Sequence, residues 1–190
     1  MRLGVAASGK GSNLRNLVER GFDVVAVATN RPTCGAAMFA RERGFPLGEL
    51  SQKKFASAEE RDTAMRDFFK KHEVELVVDA GYDRIHTAPL LEAFAGRIVN
   101  VHPSLLPDFA GGMDAVEQAL HAGVRTTGAT VHLVTGDVDG GPILVQEAVL
   151  VLPGDTVETL RLRIHEAEYR ILPQAIRSME SRLAKSPAVG

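Results

Sequence analysis

Residues 2–17 read Arg2-Leu3-Gly4-Val5-Ala6-Ala7-Ser8-Gly9-Lys10-Gly11-Ser12-Asn13-Leu14-Arg15-Asn16-Leu17, and this stretch decides the fold. Leu3–Ala7 has the length and apolar composition of a buried strand, and Ser12–Arg20 reads as a helix. Between them lies a glycine-containing turn, so the chain opens as a strand–loop–helix unit. The same alternation continues downstream. Val24–Thr29 reads as a strand and Cys34–Arg43 as a helix. Glu59–Lys71 is a helix with Ala64, Phe68 and Phe69 on one side and charges elsewhere. Glu75–Ala80 is a strand, Pro89–Phe94 a short helix and Arg97–Val101 another strand. Strands separated by helices in this way predict right-handed crossovers and a parallel sheet.

The pattern changes after Gly112. Thr127–Thr135 and Ile143–Leu152 are strand-like and are joined by Gly136-Asp137-Val138-Asp139-Gly140-Gly141, which predicts a β-hairpin with a wide loop. Asp155 followed by Glu158 resembles a capping box opening the last helix. Leu160, Ile164, Ala167 and Ile171 give that helix a core-facing stripe, and Pro173 is expected to kink or restart it. The expected class is α/β: one domain with a mostly parallel twisted sheet flanked by helices, an antiparallel hairpin and a long final helix.

Composition narrows the function. The chain has 190 residues with 22 Lys and Arg against 24 Asp and Glu, a net charge of −2. That balance argues against a general nucleic-acid or polybasic membrane binder. With 45% apolar and 24% charged residues, the chain reads as an ordinary globular protein. The single Cys34 excludes an internal disulfide framework and a Cys-based zinc site. No apolar run approaches the ~20 residues of a membrane span, and no secretory pattern opens the chain. A cytoplasmic protein is expected, with no metal, since no His, Asp or Glu set has metal-ligand spacing.

Three constellations carry chemistry. Ser8-Gly9-Lys10-Gly11-Ser12-Asn13 places glycines and N–H groups at a helix start, an arrangement that holds phosphate. Leu14 removes the third glycine of a dinucleotide fingerprint, and the upstream spacing of a nucleotide P-loop is absent. A plain βα turn, capped by Ser12 or Asn13, serves these residues equally well. Asn100 and His102, in Asn100-Val101-His102-Pro103-Ser104-Leu105-Leu106-Pro107, share one face at the end of a parallel strand. There, an amide and an imidazole could polarise a carbonyl and hold an oxyanion. Alternatively, His102 satisfies buried backbone and the prolines shape a loop. Asp137 and Asp139 could supply a carboxylate that keeps His102 charged, or could be simple turn formers. His165 and Glu168 flank the apolar stripe and either reach a ligand or face solvent. His72, His86 and His121 read as surface residues, and Cys34 as a structural thiol.

Taken in order, Ser-Gly-Lys-Gly-Ser-Asn, Asn-Val-His-Pro-Ser-Leu-Leu-Pro and Asp-Val-Asp-Gly-Gly-Pro resemble the phosphoribosylglycinamide formyltransferase family of folate-dependent transformylases. The resemblance runs from about residue 2 to Pro173. His-Pro-Ser-Leu-Leu-Pro alone marks the broader formyl-folate superfamily, and the N-terminal loop narrows it. The resemblance implies a Rossmann-like formyltransferase fold with a phosphate-binding half (about 1–100) and a folate-binding and catalytic half (about 101–190). It implies formyl transfer from 10-formyltetrahydrofolate to the amine of glycinamide ribonucleotide. Asn100, His102 and Asp139 would be the catalytic trio. Gly11, Ser12 and Asn13 would hold the phosphate, and His165, Glu166, Ala167 and Glu168 would face the ribonucleotide. Arg61, Asp83, Arg84, Ile85, His86, Asn100, Thr135, Gly136, Asp137, Val138 and Asp139 would line the folate site. The implied partners are the two small molecules, without nucleic acid or membrane, acting on a monomer or homodimer.

Four departures stand out. Lys10 lies where a small or polar residue is usual, Asp83 where Met is familiar and His86 where an aliphatic residue is familiar. The loop Phe109–Asp114 lacks the usual Pro-Gly form. Rival readings are a formyltetrahydrofolate hydrolase, a methionyl-tRNA formyltransferase and a non-catalytic folate- or nucleotide-binding module. The extra N-terminal domain of the hydrolases and the C-terminal tRNA-binding domain of the tRNA enzymes are not expected here.

Overall fold

β1 (Leu3–Ala6) is buried at all four residues and hydrogen-bonds in parallel to β2 (Val24–Thr29) on one side and β4 (Leu76–Asp79) on the other. β3 (Leu47–Glu49) pairs in parallel with β2, and β5 (Ile98–His102) with β4. With the antiparallel pair β6 (Thr126–Leu133) and β7 (Ile143–Leu150), the strand order is β3-β2-β1-β4-β5-β6-β7. This is the mostly parallel α/β class that the alternation predicts. The computed structural model describes residues 1–112 and 114–185 of the chain.

The chain forms two compact units. The first comprises residues 1–100 and 133–142. Its helices are α1 (Ser12–Glu19), α2 (Gly35–Glu42), α3 (Ala58–Lys71) and α4 (Ala88–Ala93). α3 starts where Ser57 accepts a hydrogen bond from the Glu60 N–H (3.1 Å), while the Glu60 carboxylate reaches back to the Ala56 N–H (2.9 Å). Glu59 and Glu60 in its first turn and Lys70 and Lys71 in its last complement the helix dipole. Its inner face buries Met65 and Phe69, and Phe69 meets Phe94 edge-on at 6.3 Å. Ala26, Ala28, Val77, Leu90 and Ile98 complete this core.

The second unit comprises residues 101–132 and 143 onward. Its helices are α5 (Ala115–His121) and α6 (Val157–Lys185), and α6 packs on both α5 and β7. Leu160, Ile164, Ala167 and Ile171 are buried as the stripe predicts. α6 runs unbroken through the buried Pro173, so the expected restart does not occur. Tertiary burial of Leu172, Pro173 and Ile176 outweighs the local cost of the missing N–H.

The cap of α6 also differs from expectation. Thr156, rather than Asp155, caps the helix through reciprocal bonds with Thr159: Thr159 N–H to Thr156 Oγ1 (3.2 Å) and Thr156 N–H to Thr159 Oγ1 (2.9 Å). Asp155 instead accepts from Leu152 N–H (2.7 Å) and from the Arg163 guanidinium. These contacts hold its carboxyl well below the usual range, with the Arg163 bond the largest cause. The Asp-x-x-Glu signal does act elsewhere: Asp114 caps α5 by accepting from the Glu117 N–H (3.2 Å). β3, with only three residues, escapes the sequence pattern, and α5 (seven residues) is not among the predicted helices. Among the described residues no helix is long and apolar enough to cross a membrane.

Phe69 is the largest side chain buried completely in the first unit. Phe69→Ala is expected to cost about 3–5 kcal/mol, read as a lowered urea midpoint with little change in slope.

Candidate active site

The glycine loop begins where β1 ends. Gly11 has φ 76°, a left-handed conformation, and a Cβ there would lie 2.7 Å from the Ala36 Cα. Conformation and space both demand glycine at this position. On the facing helix, a Cβ on Gly35 would lie 2.6 Å from the Lys10 carbonyl oxygen. The Ala36 N–H donates to the Gly9 carbonyl (3.1 Å), so the start of α2 buttresses the loop. α1 begins at Ser12 with no side-chain cap, and Asn13 in its first turn is buried. An uncapped first turn presents N–H groups and the positive end of the helix dipole, which suits an anion.

The strand order reverses at β1 and β4, the position where open α/β sheets bind ligands beyond their carboxyl ends. There Asp83 joins three loops. Its Oδ1 accepts from Asn30 Nδ2 (2.7 Å) and faces Ser8 Oγ (3.1 Å), while its N–H donates to Ser8 Oγ (3.0 Å). Ser8 Oγ also donates to Asn30 Oδ1 (2.6 Å), and Arg31 pairs with the other Asp83 oxygen. Burial pushes the Asp83 carboxyl up, but bonds from Asn30 and Ser8 and the charges of Arg31 and Arg84 bring it below its ordinary value.

A second polar group lies behind the segment that follows β4. Arg61 and Asp62 on α3 are buried and ion-paired at 2.8 Å. Arg61 donates to Gln52 Oε1 (3.2 Å) and to the Ile85 carbonyl (2.9 Å). Asp62 accepts from the N–H (2.5 Å) and hydroxyl (2.9 Å) of Thr87. His86 Nε2 contacts Asp79 at 2.8 Å, its Nδ1 lies 4.0 Å from Asp62, and its ring stacks on Tyr82. His86 is 7% exposed. Its expected surface position is therefore wrong, because two carboxylates compensate the imidazole for lost water. Burial alone would push its pKa down. The Asp79 charge and hydrogen bond, with the Asp62 charge, outweigh burial and the repulsion of Arg61, so the net shift is up. Burial likewise pushes the Tyr82 phenol up.

In β5, Asn100 and His102 are two residues apart and so share a face. His102 is buried, with Nε2 3.3 Å from the Phe109 carbonyl. Segment 133–142 is tied to the beginning of β5 by the Val134 N–H to Ile98 carbonyl bond (2.9 Å). Thr135, Gly136, Asp137 and Val138 are exposed, whereas Asp139 is half-buried and has φ 52°. Asp tolerates that left-handed backbone better than most residues, but it is still an unusual conformation at a non-glycine position. In α6, Ala167 and Glu168 are buried, His165 is half-buried and Glu166 is exposed. Among the described residues no group of three or more His, Cys, Asp and Glu could hold a metal ion.

The formyl transferase family model matches residues 1–176. A phosphoribosylglycinamide formyltransferase of Bacillus subtilis is 37% identical, over 94% of this chain and 94% of that protein. The chain belongs to the phosphoribosylglycinamide formyltransferase family. A crystal structure of glycinamide ribonucleotide transformylase 1 from Symbiobacterium toebii superposes with TM-score 0.89 at 43% identity, covering 93% of this chain and 86% of that one. The trifunctional purine biosynthetic protein adenosine-3 of Gallus gallus is 39% identical over 95% of this chain, but the chain spans only 18% of that protein's length.

Two residues that depart from the family pattern, Asp83 and His86, are held by side chains of the fold. Asp83 is committed to Ser8, Asn30 and Arg31 on the glycine-loop side. The His86 side chain is turned into the protein, so a ligand over this segment would meet its backbone. The buried Arg61 acts on Ile85 through the carbonyl, while the Ile85 side chain is 65% exposed. Nothing in the spacing of Asp79, Asp62 and His86 announced their cluster. The one available signal was a carboxylate closing the apolar run Leu76-Val77-Val78-Asp79.

The His86 cluster makes stability depend on pH. With its folded pKa above the ordinary 6.5, the imidazolium adds stability that is complete below about pH 6.5 and is lost as pH climbs through the folded value. His86→Gln is expected to lower the thermal midpoint most at pH 5.5–6.5, with a smaller difference from wild type toward pH 9. A difference independent of pH would contradict this.

Proposed function

We propose that the chain transfers the formyl group of 10-formyltetrahydrofolate to the amine of glycinamide ribonucleotide. The observation carrying this reading is the pairing of Asn100 and His102 on one face of β5, in a chain whose glycine loop leads into an uncapped helix start. Gly11, Ser12 and Asn13 hold the ribonucleotide phosphate, which anchors that substrate away from the reacting amine. His165, Glu166, Ala167 and Glu168 face the rest of the ribonucleotide, with Glu168 on its ribose hydroxyls. Segment Arg84–His86 and loop Thr135–Asp139 hold the folate. Ile85 and Val138, 65% and 50% exposed, give these two segments the apolar surface that a planar ring covers.

In the reaction the amine attacks the formyl carbon, forming a C–N bond and placing negative charge on the formyl oxygen. Asn100 donates to that oxygen through its amide, and protonated His102 stabilises the same charge. Asp139 keeps His102 oriented and charged and assists removal of the amine proton. The C–N bond to the folate then breaks as its nitrogen takes up a proton. Holding both substrates in one orientation contributes further to the rate. The chemistry uses small molecules alone, in the cytoplasm, without nucleic acid or metal.

The test is consumption of 10-formyltetrahydrofolate by the purified protein, with and without glycinamide ribonucleotide. Ribonucleotide-dependent formylglycinamide ribonucleotide is expected; formate released without it would mark a hydrolase. His102→Asn and Asp139→Asn are each expected to lower kcat about 100-fold or more, with ribonucleotide affinity changed little, because His102 stabilises the oxyanion, an interaction whose loss costs about 2.7–4 kcal/mol, and Asp139 keeps His102 charged and oriented for it. Near-normal turnover in either variant would remove that residue from the trio. Asn13→Ala is expected mainly to raise KM for the ribonucleotide, read from initial rates at saturating folate.

A further inference from the structure

Ser8, Asn30 and Asp83 stand beyond the carboxyl ends of β1, β2 and β4 and close a ring of hydrogen bonds: Ser8 Oγ donates to Asn30 Oδ1, Asn30 Nδ2 to Asp83 Oδ1, and the Asp83 N–H back to Ser8 Oγ. Ser8 and Asn30 are 5% and 7% exposed, so little water competes for these bonds. The ring is joined to the backbone on both sides: Asp83 N–H donates to Ser8 Oγ (3.0 Å), and Ser8 N–H donates to the Gly81 carbonyl (3.0 Å). Three residues beyond Ser8 the chain reaches Gly11 and the start of α1. Immediately beyond Asp83 it enters Arg84–His86, whose far end is held by Arg61 on the Ile85 carbonyl, Asp79 on His86 and Asp62 on Thr87.

Asp83 thus bonds to the residue that opens the glycine loop and itself leads into the other segment. Any shift of the glycine loop on binding an anion would pull on Ser8. Ser8 Oγ accepts from the Asp83 N–H and is linked to the Asp83 carboxylate through Asn30. The segment beyond Asp83 is fastened on its other side and has little slack to absorb the pull. The exposed cations Arg31 and Arg84 face the same carboxylate, at 60% and 48% side-chain exposure. Their charges change Asp83's partners if either one turns toward an anionic ligand.

We infer that Asp83 is a positioning residue that couples the glycine loop to the segment Arg84–His86, so that filling one substrate subsite changes affinity at the other. The inference rests on the proposed assignment of phosphate to the loop and folate to the segment. A residue that merely fastens the fold would alter stability and both affinities, but would leave no special link between them.

The experiment measures the Kd of glycinamide ribonucleotide by calorimetry, with and without saturating tetrahydrofolate kept under anaerobic conditions. For wild type the two values are expected to differ by about fivefold or more, within the ordinary range of linkage between sites. In Asp83→Ala the ratio is expected to fall to about one while both ligands still bind. Asp83→Asn keeps the oxygen that accepts from Asn30 and is expected to retain the coupling. Asn30→Ala, outside the residues assigned to either ligand, opens the same ring and is expected to lose the coupling even if Asp83→Ala fails to fold. A wild-type ratio of one, or a wild-type ratio preserved in both alanine variants, would overturn the inference. If folded wild-type protein binds neither ligand, the site assignment itself fails, and the coupling with it.

Discussion

The burial of β1 between two parallel neighbours constrains everything around it. A parallel strand cannot be joined to its partner by a tight turn, so each connection crosses over through a helix, and the carboxyl ends of β1, β2 and β4 fall along one edge. Every residue of β1 is sequestered from water, which leaves no room for a polar side chain until the strand ends. Chemistry therefore begins at Ser8. Loops that are distant in sequence are delivered to the same edge, and their polar groups satisfy one another where solvent is scarce.

Behind that edge, charge is buried only where it is compensated. Arg61 and Asp62 are paired within α3 and make further hydrogen bonds to Gln52, Ile85 and Thr87. His86 answers Asp79 at the end of β4. An uncompensated ion here would be strongly destabilising, so the members of this group stand or fall together. The consequence is a segment whose backbone is held from within while the Ile85 side chain points outward. Such rigidity is what the proposed folate-binding role would ask of this segment.

Local signals in the chain have unequal reach. Asp-x-x-Glu marks the start of α5 but not that of α6, because at residues 156–159 two threonines cap each other and Asp155 is drawn to Arg163. Pro173 should end a helix by its own preference, yet α6 continues because the helix is buried on both sides of it. In each case an interaction made in the folded chain overrides a preference of a few residues. The strong signals, namely the alternation of strands with helices, the stripe of α6 and the wide hairpin, agree with the packing and survive intact.

The sequence by itself determined the α/β class, the glycine loop at the start of α1, the shared face of Asn100 and His102, and the hairpin. These depend on backbone geometry and on periods of two or 3.6 residues, which neighbouring residues express alone. Three motifs in order also marked the family. Tertiary structure alone decided that Asp83 answers Ser8 across 75 positions, and that His86 is buried against Asp79 rather than solvated. Those pairings follow from which strands lie side by side. A carboxylate's partner is chosen by strand order and desolvation, and neither is written in the residues next to it.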